Sequence, residues 1–226
     1  MQPIHQKAMT PDIINSLATT GVIAVLVIEN VRHAVPVAEA LLKGGVPAIE
    51  LTLRTPAALE SAYQIKRTFP EMILGFGTVL TTEQVKAVAD VGADFAVAPG
   101  CNPRIIEEAI RQGLSFAPGV MTPSEIEIAV EAGCRLLKFF PAESSGGMKH
   151  LKSMAAPYRH LGLNFIPLGG LNLQNAHTYL ASPLVTTIGG SWLAKAELIR
   201  AEDWAGITRN ARQVRTLINE VRTKNC

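Results

Sequence analysis

The chain lacks most of the residue patterns that announce metal, redox and membrane chemistry. Of its 226 residues only Cys101, Cys134 and Cys226 are cysteine, and no two form a CxxC pair. That argues against a disulfide framework and the common zinc spacings, and a reducing, cytoplasmic compartment is expected. The histidines (His5, His33, His150, His160, His177) are scattered with no HxH or HxxxH spacing, so surface or helix-end roles are expected and a metal site is not. No apolar run reaches the roughly 18 residues of a membrane span. The segment MQPIHQKAMTPDI lacks the basic-then-apolar order of a signal peptide. A net charge of +2 is too small for a nucleic-acid surface. The densest basic stretch (Arg209, Arg212, Arg215, Arg222, Lys224) shares a helix-like segment with Glu220 and reads as a solvated helix face. Neither a nucleic-acid nor a membrane partner is expected.

What is present is a regular beat. Hydrophobic residues make up 48% and charged residues 18%, the balance of a globular chain, and residues 1–226 show no linker or composition shift that would divide them. Eight short apolar or alternating runs recur: Val22–Ile28, Ala48–Leu53, Ile73–Val79, Phe95–Gly100, Ser115–Val120, Leu136–Pro141, Asn164–Gly170 and Val185–Gly190. Their starts lie 20 to 28 residues apart. Between them fall segments with apolar residues at helical spacing, among them Val31–Lys43, Thr82–Val91 and Glu125–Ala132. Thr122-Pro123-Ser124-Glu125 has the form of a helix cap with proline in the first turn. Strand alternating with helix predicts parallel strands and right-handed crossovers. Eight such units predict a single-domain (β/α)8 TIM barrel, with an extra N-terminal helix over Ala8–Ala18 at its base and a last helix over Ala201–Thr223. An open doubly wound sheet would usually carry a glycine-rich turn after the first strand, and Leu26-Val27-Ile28-Glu29-Asn30 is unlike one.

In such barrels chemistry gathers at the C-terminal ends of the strands, and the polar residues that interrupt the runs lie near those ends. Lys138 sits inside Leu136-Leu137-Lys138-Phe139-Phe140-Pro141. Burial disfavours the charged form of an amine and favours the neutral nucleophile; snorkelling or pairing with a carboxylate is the structural alternative. In Ala48–Thr55 the period is two, so Ile49, Leu51 and Leu53 share one face while Glu50, Thr52 and Arg54 share the other, toward the interior. There a buried ion pair competes with a proton shuttle and a carboxylate anchor. Gly75-Phe76-Gly77-Thr78 allows close approach and offers a hydroxyl that serves either a ligand or the next helix cap. Ala98-Pro99-Gly100 and Ala117-Pro118-Gly119 suit tight turns. The last two runs end in Gly169-Gly170 and Gly189-Gly190-Ser191, where barrels often bind phosphate on exposed amides. Segment 143–147 is open between a rim and a helix start.

Two of these motifs resemble the 2-keto-3-deoxy-6-phosphogluconate aldolases, which overlap with the 4-hydroxy-2-oxoglutarate aldolases. Gly45–Arg54 is similar to their glutamate signature and Gly133–Pro141 to their Schiff-base lysine signature; Gly75–Val79, Ala98–Gly100, Phe139–Glu143 and Gly189–Trp192 follow in the same order. The resemblance implies a (β/α)8 barrel, assembled as a homotrimer, that cleaves a phosphorylated 2-keto-3-deoxy sugar acid to pyruvate without metal or cofactor. Carried over, Lys138 is the Schiff-base former and Glu50 the general acid/base. Arg54 and Thr78 hold the pyruvate carboxylate, Pro99 and Phe140 line the pocket, and Gly169, Gly170, Gly190 and Ser191 take the phosphate end. Leu168 departs from the threonine of phosphogluconate aldolases and is nearer to the apolar residue of the 2-keto-3-deoxy-6-phosphogalactonate aldolases, which lack the Thr52-Leu53-Arg54 retained here. A phosphate-binding barrel isomerase or epimerase, and a non-enzymatic ligand-binding barrel, are the rival classes.

Overall fold

The computed structural model describes residues 9–224, so His5, Ala8 and Cys226 lie outside the described residues. Every apolar run carries strand: β1 (Val22–Leu26), β2 (Ala48–Thr52), β3 (Ile73–Gly77), β4 (Phe95–Val97), β5 (Phe116–Ala117), β6 (Gly119–Val120), β7 (Leu136–Phe139), β8 (Asn164–Pro167) and β9 (Ile188–Gly190). The helices are α1 (Pro11–Thr20), α2 (Ala34–Lys43), α3 (Ala58–Thr68), α4 (Thr82–Asp90), α5 (Pro103–Arg111), α6 (Pro123–Glu131), α7 (Gly147–Ala155), α8 (Ala176–Leu180), α9 (Ala196–Arg200) and α10 (Trp204–Lys224). The strand pairs are parallel, as strand–helix alternation requires.

Proline accounts for nine strands from eight runs. Pro118 has no N–H to donate to a ladder, so the fifth run divides: β5 pairs with β4, and β6 pairs with β7. The result is a six-stranded sheet in the order β5-β4-β3-β2-β1-β9 and a three-stranded sheet β6-β7-β8, not one continuous ladder. The eighth run begins at Val185, but regular pairing starts only at Ile188. Val185 instead makes a single parallel bridge to Phe165 on β8, with the Thr186 N–H donating to the Phe165 carbonyl at 3.0 Å.

Alternation along the strands separates two apolar layers. Ile49 and Leu51 on β2, Leu74 and Phe76 on β3, and Leu137 and Phe139 on β7 pack outward among the helices. Ile23, Ala48, Phe95, Val97, Leu136, Ile166 and Leu168 form an inner cluster. Helix α1 supplies Leu17 to that inner cluster, with Ile13 and Ile14 packed against it, and so covers its base. Two arginines of α10, expected on a solvated face, hold α1 in place. Arg215 donates to the Thr20 carbonyl at 2.9 Å, and Arg222 to the carbonyls of Thr19 at 2.7 Å and of Ala18. Cations at a helix C-terminus meet its unpaired carbonyls and its negative dipole end. Helix α6 opens with the capping box its sequence suggests, Thr122 accepting from the Glu125 amide while Glu125 accepts from the Thr122 amide.

Leu17 is fully buried at the base of the inner cluster, so Leu17→Ala removes a branched apolar side chain from packed surroundings. Urea unfolding is expected to show a loss of about 2–5 kcal/mol; a loss below about 0.5 kcal/mol would mean that α1 is not part of the cooperative core.

Candidate active site

The inner face of the strands is apolar at its base and polar near its C-terminal end, and the change occurs one alternation step further along. On β7 Leu136 and Lys138 point inward, and Phe140 just beyond the strand packs on the same cluster. On β2 the inward set is Ala48, Glu50 and Thr52. The Lys138 Nζ and Glu50 Oε1 atoms lie 3.4 Å apart, with Lys138 at 5% and Glu50 at 1% exposure. The amine also lies 5.3 Å from the centre of the Phe140 ring. Both structural explanations for Lys138 are thereby narrowed: it does not snorkel to water, and it does have a carboxylate partner.

The pairing is incomplete. Glu50 Oε2 is buried and has no hydrogen-bond partner among the described residues. A buried carboxylate oxygen without a donor is costly, and native structures seldom keep one without a use for it. The amine at 3.4 Å makes only a long contact with Oε1. The arrangement is a nucleophile next to a base with one acceptor oxygen to spare.

Neighbouring strand ends shape the surroundings. A methyl group built on Gly77 would come within 1.8 Å of Glu50 Oε1, so the missing side chain is the seat of the carboxylate. Gly75, one inward step below, leaves space for the Phe95 ring in the same way. Thr78 follows Gly77 with φ at 63°, a left-handed conformation unusual for a β-branched residue. It does not cap the next helix; Thr81 does. Pro99 lies beyond β4, its carbonyl oxygen 2.2 Å from a methyl group built on Gly119, which is the β6 residue in register with Lys138. Gly169 sits against the Phe140 ring, and Leu168, at 4% exposure, fills the space left by Gly189. Gly190 makes room for the Trp192 ring, and Ser191 is exposed beside it.

Arg54 differs from the simple alternation. β2 pairing ends at Thr52, and Leu53-Arg54 turns away, with the Arg54 N–H donating to the Thr52 carbonyl at 2.8 Å. Its guanidinium is exposed at the rim instead of buried on the strand's inner face. Thr52 stays buried, its hydroxyl donating to the Leu26 carbonyl at 3.2 Å. A cavity of about 390 Å³ lined by Gly21, Asn164, Ile218 and Arg222 lies at the strand starts and contains none of these residues.

The thiols of Cys101 and Cys134 do not compete with the lysine as nucleophiles. Burial, with Glu125 adding to it, pushes Cys101 up to about 11; burial, with Cys101 adding to it, pushes Cys134 up to about 12. Among the described residues no group of three or more His, Cys, Asp or Glu side chains is placed to hold a metal ion.

Residues 13–210 match the family model of the KDPG and KHG aldolases. The chain belongs to the KDPG and KHG aldolase family. It is 41% identical over 199 residues to the KHG/KDPG aldolase of Escherichia coli K12, covering 88% of this chain and 92% of that one. It is 39% identical over 206 residues to the 2-dehydro-3-deoxy-phosphogluconate aldolase of Treponema pallidum, covering 91% and 97%. Among solved structures, KDPG aldolase from Legionella pneumophila, with pyruvate captured as a covalent carbinolamine, superposes with a TM-score of 0.85 at 35% identity, covering 90% of this chain and 97% of that one. Membership makes this aldolase a carbon–carbon lyase.

The coupling of the buried pair is open to direct measurement. Lys138→Met strands the Glu50 carboxylate in the interior and is expected to lower stability by about 3–5 kcal/mol in urea, whereas adding Glu50→Gln recovers most of the loss. No recovery in the double variant would show that the two groups do not share their burial.

Proposed function

We propose that this aldolase is a class I enzyme that cleaves 2-keto-3-deoxy-6-phosphogluconate to pyruvate and glyceraldehyde 3-phosphate through a Schiff base on Lys138, and that it also accepts 4-hydroxy-2-oxoglutarate. One observation carries the reading: a buried lysine 3.4 Å from a buried glutamate whose second oxygen has no partner among the described residues. The covalent pyruvate adduct of the Legionella relative supports it.

Neutral Lys138 attacks the C2 ketone to give a carbinolamine, which takes up a proton and loses water to form an iminium. Glu50, directly or through a water, removes the C4 hydroxyl proton. The electron pair of the C3–C4 bond then moves into the iminium, leaving an enamine and releasing the aldehyde. Glu50 returns its proton to C3, and hydrolysis frees pyruvate and the amine. A single carboxylate acting first as base and then as acid is the economical use of one inward glutamate. The iminium is the electron sink, so the cycle calls for neither metal nor cofactor.

The remaining residues take roles consistent with their positions. Arg54 at the rim and Thr78 at the end of β3 grip the pyruvate carboxylate and aim C2 at the amine. Pro99 and Phe140 line the pocket. Gly169, Gly170, Gly190 and Ser191 take the phosphate on amide and hydroxyl donors. The Pro118 link and the Phe165–Val185 bridge support closure of the two sheets into one eight-stranded barrel, and a single domain over residues 1–226. We read the working form as a cytoplasmic homotrimer.

Leu168 favours a second reading, cleavage of the galactonate counterpart, because it is buried at the inner face and offers the sugar no hydroxyl. It sits against Gly189, beside the Gly169-Gly170 pair.

Borohydride reduction with pyruvate in EDTA, followed by peptide mass spectrometry, is expected to find a pyruvyl adduct on Lys138. An unmodified Lys138 rules the mechanism out. Leu168→Thr is expected to sharpen the preference for the gluconate over the galactonate substrate; the same ratio of kcat/KM in both proteins would remove Leu168 from specificity.

A further inference from the structure

Tyr179 in α8 is packed to 1% exposure, and its hydroxyl has no part in the steps above. It donates a hydrogen bond to Glu143 Oε1. Glu143 lies in segment 143–147, which turns out to be both rim and helix start: α7 begins at Gly147, and Glu143 reaches across the glycine pair after β8. The Glu143 N–H donates to the Gly169 carbonyl at 3.0 Å, and a methyl group built on Gly170 would come within 2.7 Å of Glu143 Cβ. The glycine loop is tied down from its other side, Asn175 donating to the Gly170 carbonyl at 3.1 Å and accepting from the Asn172 amide at 2.8 Å.

An anion approaching Gly169-Gly170 therefore meets an exposed carboxylate rooted beside the same amides. Left free, that carboxylate repels the anion and competes for its N–H donors. We propose that Tyr179 is a positioning residue for the phosphate end of the substrate, latching the Glu143 carboxylate away from the Gly169-Gly170 amides. The latched position is a good one for a negative charge. A methyl group built on Gly147 would lie 3.2 Å from Glu143 Oε1 and 3.3 Å from the Tyr179 oxygen, so the pair rests over the first residue of α7, where the helix dipole is positive. Burial first, and the Glu143 hydrogen bond second, hold the phenol above its ordinary pKa, so it stays a protonated donor at neutral pH.

The inference rests on the phosphate-end reading, and its test separates the two. Wild type, Tyr179→Phe, Glu143→Gln and the double variant are assayed with 2-keto-3-deoxy-6-phosphogluconate and with its unphosphorylated analogue, and a separate portion of each protein is tested for pyruvate trapping by borohydride. Tyr179→Phe is expected to raise KM for the phosphorylated substrate about tenfold with kcat and trapping retained, and to leave kcat/KM for the analogue as in wild type. Adding Glu143→Gln is expected to restore KM, because it removes the competing charge. Equal losses on both substrates, or no restoration in the double variant, would reduce Tyr179 to a packing residue. Failure of wild type to trap pyruvate would overturn the aldolase mechanism itself, whatever the variants do.

Discussion

An amine and a carboxylate share one pocket in the inner face of a parallel sheet, and much of the surrounding structure exists to make that burial tolerable. Lys138 and Glu50 are separated by 88 residues in the chain and by 3.4 Å in space. Neither belongs in an apolar interior alone, because desolvating an unpaired charge costs several kcal/mol. Together they offset part of that cost, and the incomplete pairing leaves an amine with freedom to react and an oxygen with freedom to accept a proton. Stability and chemistry are set against each other at this contact.

The glycines along β3 are the clearest consequence. In many strands an inward glycine weakens packing. Here Gly77 is the seat of the Glu50 carboxylate and Gly75 the seat of the Phe95 ring, so the third strand presents space where its neighbours present bulk. The same exchange recurs on the other side, where Gly189 receives Leu168 and Gly169 faces Phe140. Small and large residues on adjacent strands interlock, which is how a narrow interior accommodates two long polar side chains.

Legibility in the sequence followed the range of the interaction. The inward position of Glu50 could be read because strand alternation is local, and the apolar flanks of Lys138 were visible for the same reason. The end of that alternation was less visible: Arg54 continues the period of two on paper, yet pairing stops at Thr52 and the guanidinium emerges at the rim. Pro118 was in plain view as a turn signal, but its effect, dividing one run between two sheets, depends on which strands lie beside it. The close approach allowed by Gly75 and Gly77 was predictable; what approaches them was not. Tyr179 gave no signal at all, since a tyrosine in a short helix 36 residues from Glu143 looks like core.

By itself the sequence determined the strand–helix beat, the inward glutamate and the buried lysine, and with them the family's chemistry, because each depends on residues within one strand or one turn. Tertiary structure alone decided that Lys138 and Glu50 meet, that one glutamate oxygen has no partner among the described residues, that Arg215 and Arg222 hold α1 across the base, and that Glu143 is tied to Tyr179. Those are contacts between elements far apart in the chain. They follow from how parallel strands register and how helices pack over them, and no local pattern encodes that register.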